Sequence, residues 1–326
     1  MRVPCSSLRT YLLAFVVACW AACPTVAKAQ YPSKPISILT SVAPGSPFDL
    51  LGRIFAERLR QKLGVPVVLE NVTGGQGLIA TQRALNASSD GYTLLIASGG
   101  LTTSPLVVKN AGYKAEDFVA VAPLGQVPYI LFVSSSVQAT DVPSLISYMK
   151  SNVKNMNSGI LMTSHLSMLL SRKFGSIAGG DLTEIGYRGS ADMTKALLAN
   201  DIQLMATTYS VAGPHLASGK IKAIGTVADE RTGAMPDLPT FKEKGHPSLV
   251  ISVWEGLFAK ADVPAGVLAK LRAVSQEIVS DPQYLTAMKP TGMEPWTVSF
   301  DKLQAAIDQD TERFKRDAEA FKLKLE

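Results

Sequence analysis

Cysteine and histidine are scarce in this chain, and their scarcity excludes several kinds of chemistry. Three cysteines occur among 326 residues, and all lie near the amino terminus, at Cys5, Cys19 and Cys23. The three histidines are far apart and show no H-x-x-x-H spacing: His165, His215 and His246. Beyond residue 23, the sequence therefore offers no disulfide framework, no thiol nucleophile and no His/Cys cluster of the kind that holds a metal.

Long apolar runs are also missing, except for one near the amino terminus. Arg2 and Arg9 precede an apolar stretch from Tyr11 to Ala22, and Ala27-Lys28-Ala29 follows as an A-x-A sequence. Such a stretch is too short to cross about 30 Å of hydrocarbon as a helix. A charged start, a short apolar core and small residues at a cleavage site are typical of a secretory signal peptide. We therefore predict that residues 1–29 are removed and that the protein is periplasmic.

Cleavage before Gln30 would leave a chain in which neither sign of charge dominates. The leader contains Arg2, Arg9 and Lys28 but no acidic residue, so 32 basic residues fall to 29 against 27 acidic ones. This balance excludes the strongly basic surface expected of a nucleic-acid-binding protein. Lipid attachment at Cys19 or Cys23 is the alternative to simple cleavage.

Strand and helix signals alternate along the first part of the predicted mature chain. Residues 36–42, 65–70 and 92–97 have the composition of strands. Ser46 has the character of an N-cap with Pro47 in the first helical position, and Gly64 is a helix stop. This order predicts a parallel sheet wrapped by helices.

The alternation continues to the carboxyl terminus without a linker or an internal repeat. Further strands are predicted at 119–124, 129–133, 202–206, 221–227 and around 251–259. Helices are predicted from Pro143, near Ser164, near Ser190, and at 264–280 and 299–320. Because the length suggests two domains, we expect short crossover strands to join them.

Catalytic and cofactor motifs are weak in this sequence. S-x-x-K occurs from Ser147 and from Ser151, among other places, but there it has the character of helix surface, and no G-x-S-x-G elbow is present. The segment 75–80 fits G-x-G-x-x-A, yet the next predicted strand ends in Ala97-Ser98-Gly99-Gly100, with no acid for a ribose. The sequence therefore predicts a protein that is not an enzyme and that has no metal or cofactor.

Several predicted helices begin with glycine and small hydroxyl residues. These starts are Gly45-Ser46, Gly74 to Gly77, Thr163-Ser164 and Gly189-Ser190. The free N–H groups of a helix amino terminus can bind an anion without a basic side chain. For any one of them alone, ordinary capping is the better explanation. Taken together, they favour a cleft that binds an anion.

A series of motifs in fixed order covers the predicted mature chain. It consists of Tyr31-Pro32-Ser33-Lys34-Pro35-Ile36, Ala43-Pro44-Gly45-x-x-x-Asp49, Val67-Val68-x-Glu70-Asn71-x-x-Gly74, Asp90-Gly91-Tyr92-Thr93-Leu94-Leu95, Ser158-Gly159, Thr163-Ser164-His165-Leu166, Tyr187-Arg188-Gly189-Ser190, Ser218-Gly219-Lys220-Ile221-Lys222-Ala223, Pro236-Asp237-Leu238-Pro239-Thr240 and Trp254-x-Gly256-Leu257-Phe258-Ala259. In this series the sequence resembles the Bug family, the extracytoplasmic solute-binding components of tripartite tricarboxylate transporters.

The resemblance implies an α/β fold of the periplasmic-binding-protein class, type II-like, in which two lobes close like a flytrap about hinge strands. Lobe 1 would comprise residues 30–128 and 255–326, and lobe 2 residues 129–254. A carboxylate would be held between them by backbone amides and small hydroxyls. The ligand-binding residues that we predict are Gly45, Ser46, Phe48, Asp49, Ser98, Gly99, Ser158, Thr163, Ser164, Arg188, Gly189, Ser190 and Thr207.

The resemblance also implies partners. These are a small organic carboxylate and the membrane permease subunits of a tripartite transporter, or a sensor kinase to which an orphan binding protein would present its ligand. No nucleic-acid partner is expected, and we expect a monomer. The alternative from another class is an exported hydrolase or lyase, although the sequence shows no nucleophile and base at a recognisable spacing.

The sequence departs from the family pattern at segments expected to face the ligand. They are Ser46-Pro47-Phe48, Gln76 and Leu78, Leu161-Met162, and Ala206-Thr207-Thr208. Pro47 has no N–H, and a capping Ser46 hydroxyl would occupy the N–H of Asp49, so this helix start offers fewer anion donors. Phe48 adds a phenyl ring unless it turns into the core. We therefore predict an aromatic or otherwise hydrophobic carboxylate as ligand in preference to citrate.

Overall fold

The computed structural model describes residues 31–162, 165–251 and 253–323, and in these ranges it contains two five-stranded mixed sheets covered by helices. The predicted signal peptide lies outside the described residues, as do Thr163 and Ser164. Within the described ranges, no helix combines the length and the hydropathy needed to cross a bilayer.

The first sheet holds the amino-terminal strands together with one strand from near the carboxyl terminus. Its strands, in spatial order, are β2 (Val67–Asn71), β1 (Ile36–Thr40), β3 (Thr93–Ser98), β10 (Trp254–Lys260) and β4 (Phe118–Gln126). Strands β1, β2 and β3 are parallel, and β10 runs antiparallel to both β3 and β4.

The second sheet repeats this plan with the middle of the chain. Its strands, in spatial order, are β7 (Thr183–Tyr187), β6 (Asn157–Leu161), β8 (Leu204–Thr207), β5 (Ile130–Ser134) and β9 (Ile221–Thr226). Strand β6 is parallel to β7 and β8, whereas β5 is antiparallel to β8 and β9.

The α-helices in the described ranges pack on both sheets. They are α1 (Pro47–Leu63), α2 (Leu78–Leu85), α3 (Gly100–Val107), α4 (Val142–Asn152), α5 (His165–Ala178), α6 (Ser190–Ala199), α7 (Tyr209–Ala212), α8 (Ala265–Val279), α9 (Pro282–Met288) and α10 (Leu303–Ala320). Separate apolar clusters fill the two halves. One contains Leu39, Leu95 and Phe258, and another contains Leu131, Phe174 and Phe241.

The parallel arrangement predicted for the first three strands is confirmed, and one strand in each sheet runs antiparallel to its neighbours. Strand β5 follows β4 after only residues 127–129, and β10 follows a stretch without an α-helix from residue 227 to 253. Both strands carry the chain from one sheet to the other. Since no crossover helix precedes them, nothing forces them to run parallel to their neighbours.

Helix α1 begins and ends where local sequence chemistry predicts. The Ser46 hydroxyl accepts the Asp49 N–H at 3.3 Å, and Pro47 is the first helical residue. Gly64 ends the helix with a φ of 71°, a left-handed conformation that residues with a Cβ rarely adopt. Leu51, Phe55 and Leu59 are buried along one face of the helix.

Helix α5 of the second sheet is joined to the carboxyl-terminal helix α10, which packs on the first. Leu169 lies in an apolar cluster with Phe314 and Ala318. The Lys173 ammonium is buried, contacts the Asp317 carboxylate at 2.5 Å and donates to the Ser248 carbonyl at 2.8 Å. This contact links the two halves of the molecule outside the covalent crossovers.

Gly159 lies where the second sheet is so closely packed that a Cβ would not fit without displacing its neighbours. A Cβ at this position would lie 2.5 Å from Ile202 Cδ1 and 2.7 Å from Met193 Cγ, and both side chains are fully buried. We expect Gly159→Ala to lower the free energy of unfolding by about 1–3 kcal/mol, because overpacking a rigid core displaces its neighbours. Urea unfolding followed by circular dichroism measures this change.

Gly266 provides the control for this substitution. It is exposed in the first turn of α8, and a Cβ there would have no atom within 4 Å. Gly266→Ala should leave stability unchanged or raise it slightly, because alanine favours the helix. Equal destabilisation by the two substitutions would contradict the packing described for Gly159.

Candidate functional site

A cavity of about 220 Å³ lies at the carboxyl end of β3 and brings together residues from both sheets. In open α/β sheets, ligands bind beyond the carboxyl ends of the strands. The first sheet contributes the start of α1, the loop after β2 and the start of α3. The second sheet contributes the start of α5, and both crossover segments contribute one residue. The lining residues are Phe48, Gln76, Ser98, Gly99, Gly100, Thr103, Ser104, Tyr129, His165, Leu166 and Val253.

The described lining of this cavity is polar but contains no aspartate, glutamate, lysine or arginine. Its donors are hydroxyl, amide and backbone N–H groups around the start of α3. The Thr103 hydroxyl is already engaged, since it donates to the Gly99 carbonyl at 3.0 Å. Phe48, Leu166 and Val253 supply apolar surface. The cavity therefore presents neutral donors beside an apolar wall.

Asp49 stabilises the loop before α1 and is not among the lining residues. Its buried carboxylate accepts hydrogen bonds from the Gly45 N–H at 2.8 Å, Asn71 Nδ2 at 2.7 Å and Arg53 Nε at 3.0 Å. Burial alone would raise the pKa of Asp49, but the hydrogen bonds from Arg53, Asn71 and Gly45 hold it below its usual value. Gly45, which has a φ of 80°, and Ser46 thus stabilise the start of α1 through their hydrogen bonds with Asp49.

The remaining predicted ligand residues of the second sheet do not line the cavity in the described structure. Ser158 is the second residue of β6 and is buried beneath α5, whereas Thr207 ends β8 and is also buried. Arg188 is exposed, and Gly189-Ser190 begin α6. Of the predicted set, the structure brings Phe48, Ser98 and Gly99 together at the cavity. Thr163 and Ser164 lie outside the described residues, next to the lining residue His165.

Several lining residues were not predicted from the sequence. Tyr129 and Val253 lie on the crossover segments. The interruption between the two strands predicted at 119–124 and 129–133 is a weak signal for Tyr129 but not for Val253. Thr103 and Ser104 belong to α3, a helix that was not predicted. His165 and Leu166 were noted only as part of a family motif.

Two ionisable side chains in the lining are neutral for the same physical reason. Burial lowers the pKa of His165 and raises the pKa of Tyr129. Nε2 of His165 is buried and has no hydrogen-bond partner. Both shifts keep charge out of the cavity near neutral pH.

Trp254, the first residue of β10, lies behind the cavity wall near Gly99 and is not itself a lining residue. Its indole ring stacks on Trp296 with ring centroids 5.2 Å apart, and its N–H donates to the Asp310 carboxylate at 3.0 Å. A Cβ on Gly99 would lie 3.9 Å from this ring. Trp254 therefore connects the cavity wall to helix α10.

Glu255 is a buried carboxyl group next to Trp254 in the sheet. It is 1% exposed, its Oε2 has no hydrogen-bond partner, and it pairs across the sheet with Ser98 of the cavity wall. Burial, with a contribution from the negative charge of Asp49, raises the pKa of Glu255 well above its usual value. The folded protein therefore retains the Glu255 proton to higher pH than the unfolded chain does.

The raised pKa of Glu255 makes the free energy of unfolding decrease as pH rises. The unfolded chain releases the Glu255 proton above about pH 4.5, whereas the folded chain retains it, so rising pH favours unfolding. Relative to Glu255→Gln, the wild type should lose stability as pH rises above about 4.5, by at most about 1.4 kcal/mol per pH unit. Chemical unfolding of both proteins above this pH measures the difference.

Glu57 supplies the matched control. It is an exposed carboxylate whose pKa hydrogen bonds from Arg60 and Gln61 lower to about 2. Its lowered pKa gives the opposite sign, because stability is lost only as pH falls. Glu57→Gln should therefore show no pH-dependent difference from the wild type above pH 5. A constant difference for Glu255→Gln as well would mean that Glu255 is ionised in the folded state.

The fold is that of the periplasmic binding proteins, and comparisons identify the family. Residues 51–323 match the model of the tripartite tricarboxylate transporter family receptor, TctC. A UPF0065 protein of Bordetella pertussis is 30% identical over 287 residues, which span 87% of this chain and 88% of the relative. BugT of the same species is 27% identical over 294 residues, 87% of this chain and 88% of BugT. The chain belongs to the TctC receptor family.

Solved structures of similar proteins agree with this assignment. The periplasmic binding protein BugD is 28% identical with a TM-score of 0.71, covering 90% of this chain and 99% of BugD. MatC of Rhodopseudomonas palustris with bound malate is 25% identical with a TM-score of 0.69, covering 88% and 99% of the two chains. A second R. palustris protein, with adipate, is 25% identical with a TM-score of 0.74, covering 89% and 98%.

Proposed function

We propose that this protein is a periplasmic solute-binding protein that captures a small organic carboxylate in the 220 Å³ cavity and delivers it to a tripartite tricarboxylate-type transporter. The observation that carries the proposal is the composition of the cavity, which joins the start of α3, the start of α5 and both crossover segments. Membership of the receptor family and the malate and adipate bound by two similar proteins support it.

Neutral donors provide the means of binding an anion. Helix α3 begins with Gly99 and Gly100 at the cavity, and α5 begins there with His165 and Leu166. The N–H groups and positive dipole end of a helix amino terminus stabilise a carboxylate without a lysine or arginine. Ligand contacts from Gly45, Ser46, Asp49, Ser158, Thr163, Ser164, Arg188 to Ser190 and Thr207 remain part of the proposal.

The cavity favours a ligand with an apolar body. Phe48, Leu166 and Val253 line it, and no charged side chain in the described lining can neutralise a second or third carboxylate. Burying an anion without a counter-charge is costly. We therefore assign to the protein an aromatic or otherwise hydrophobic carboxylate rather than citrate.

Binding measurements test the function and the ligand class together. Calorimetry should compare benzoate, adipate, malate and citrate, and the wild type should bind citrate least tightly. Phe48→Thr should weaken benzoate binding by about tenfold, because an aromatic contact contributes about 0.5–1.5 kcal/mol beyond burial. Leu50→Thr is the matched control, since Leu50 is on the same helix but is exposed and absent from the lining.

The outcomes separate the alternatives. Binding without turnover supports a solute-binding protein, and turnover of the acid or its ester would support an exported hydrolase or lyase. Absence of binding across the panel would favour an orphan protein that presents an unrelated ligand, for example to a sensor kinase. Citrate as the tightest ligand, or unchanged preference in Phe48→Thr, would overturn the assigned ligand class.

Lobe closure is the second part of the proposal, with lobe 1 at 30–128 and 255–326 and lobe 2 at 129–254. A ligand that contacts both α3 and α5 stabilises the closed arrangement, because only closure brings both helix starts to it. Small-angle scattering of the monomer should show a smaller radius of gyration at saturation with ligand. The same profile with and without bound ligand would indicate a site formed by one lobe.

The location of the protein is the third part. Removal of residues 1–29 by signal peptidase would release a chain beginning at Gln30 into the periplasm. Periplasmic extraction followed by amino-terminal sequencing should find Gln-Tyr-Pro. A start at Met1, or a lipid-modified Cys19 or Cys23, would contradict this assignment.

A further inference from the structure

His165 is the side chain in the described cavity lining that can become a cation near neutral pH. The other lining residues are uncharged at every pH of interest, except Tyr129, whose raised pKa keeps it neutral. Histidine changes charge between about pH 5 and pH 8. The two other histidines, His215 and His246, do not line the cavity. Any positive side-chain charge that this lining gains must therefore come from His165.

The Nε2 atom of His165 has no hydrogen-bond partner in the described structure. The residue begins helix α5, its side chain forms part of the cavity wall, and Nε2 is buried without a hydrogen bond. An unsatisfied buried nitrogen costs about 1–3 kcal/mol and is rare in folded proteins. An acceptor held in the cavity beside the ring would satisfy it after a small rotation of the side chain.

We propose that His165 contacts the bound carboxylate and takes up a proton when an anionic ligand binds. This inference rests on the proposed function, because it assigns to His165 the role of supplying the counter-charge in the same cavity. The uptake brings one positive charge into a cavity whose described lining otherwise has none. It thus offsets the cost of burying the anion.

The charged side chains around His165 are paired or exposed, and the positive end of the α5 dipole disfavours its protonated form, so a bound carboxylate has to supply the favourable charge. On its own helix, Lys173 is paired with Asp317, and on the packed helix α10, Arg313 is paired with Asp310. Lys150 of helix α4, which packs on α5, is exposed at the surface. Burial lowers the pKa of His165, with no contribution from a charged group.

These surroundings determine the direction in which pH changes the affinity for the ligand. In the free protein, burial disfavours the imidazolium, so His165 is neutral. A carboxylate within about 4–6 Å favours the charged form and raises the pKa of His165 in the complex. Between the free and the bound pKa, binding takes up a proton, and the dissociation constant falls by up to about tenfold for each unit by which pH is lowered.

The experiment uses a protein in which His165 is the remaining histidine. The variant His215→Gln/His246→Gln achieves this, because the chain contains three histidines. The acid that binds most tightly among benzoate, adipate, malate and citrate is titrated calorimetrically in two buffers of different ionisation enthalpy, between about pH 6 and pH 8. We expect net proton uptake on binding, and we expect His165→Gln in the same background to abolish it.

A spectroscopic measurement assigns the proton to the ring. The Cε1–H resonance of the single histidine should titrate at higher pH in the complex than in the free protein. Melting temperatures of both variants identify any loss of folding in His165→Gln, and the resonance titration tests the proposal without that substitution.

Different experimental results would overturn the role of His165 and the proposed solute-binding function. Binding with no proton uptake, an unshifted His165 titration, or uptake that persists in His165→Gln would overturn the role of His165 and leave the solute-binding function intact. Absence of binding for all four acids would overturn the proposed function and this inference with it.

Discussion

The pairing of β10 between β3 and β4 is the constraint on which the rest of the structure depends. This strand returns from the second sheet and completes the first, with antiparallel hydrogen bonds on both sides. It places Trp254 behind Gly99 of the cavity wall, and Val253, immediately before it, is part of that wall. Strand β5 enters the second sheet in the same manner, directly after Tyr129. The cavity is therefore built around the two places where the chain passes between sheets.

Local chemistry was sufficient to predict the elements whose signals lie within a few residues. Helix α1, with the Ser46 cap, Pro47 and the Gly64 stop, is the clearest case. Strands β6 and β7 were not predicted, because their sequences Asn-Ser-Gly-Ile-Leu and Thr-Glu-Ile-Gly-Tyr contain glycine and polar residues and become strands through pairing with each other. Helix α3 was also not predicted, because its sequence Gly-Leu-Thr-Thr-Ser-Pro has a weak helix propensity.

The candidate site was predictable only in part, because it depends on which strand ends come together. Phe48, Ser98 and Gly99 follow strands of the first sheet, and their position at its carboxyl edge could be inferred from order alone. Ser158 could not be placed by the same reasoning, since it lies in the interior of a strand whose limits were unknown. Tyr129 and Val253 carry no motif, and their place in the lining results from the path of the chain between the two sheets.

The contact between α5 and α10 connects the cavity wall to the carboxyl-terminal helix. Leu169, Lys173 and the bond from Arg172 to the Phe321 carbonyl fasten the helix from its second turn onward. The first turn borders the cavity with His165 and Leu166, and Leu166 also packs against the same apolar cluster. Separating the buried Lys173 ammonium from Asp317 would leave an uncompensated charge, so the contact between the two helices is costly to break. The carboxyl-terminal helix is thereby a structural support of the cavity wall.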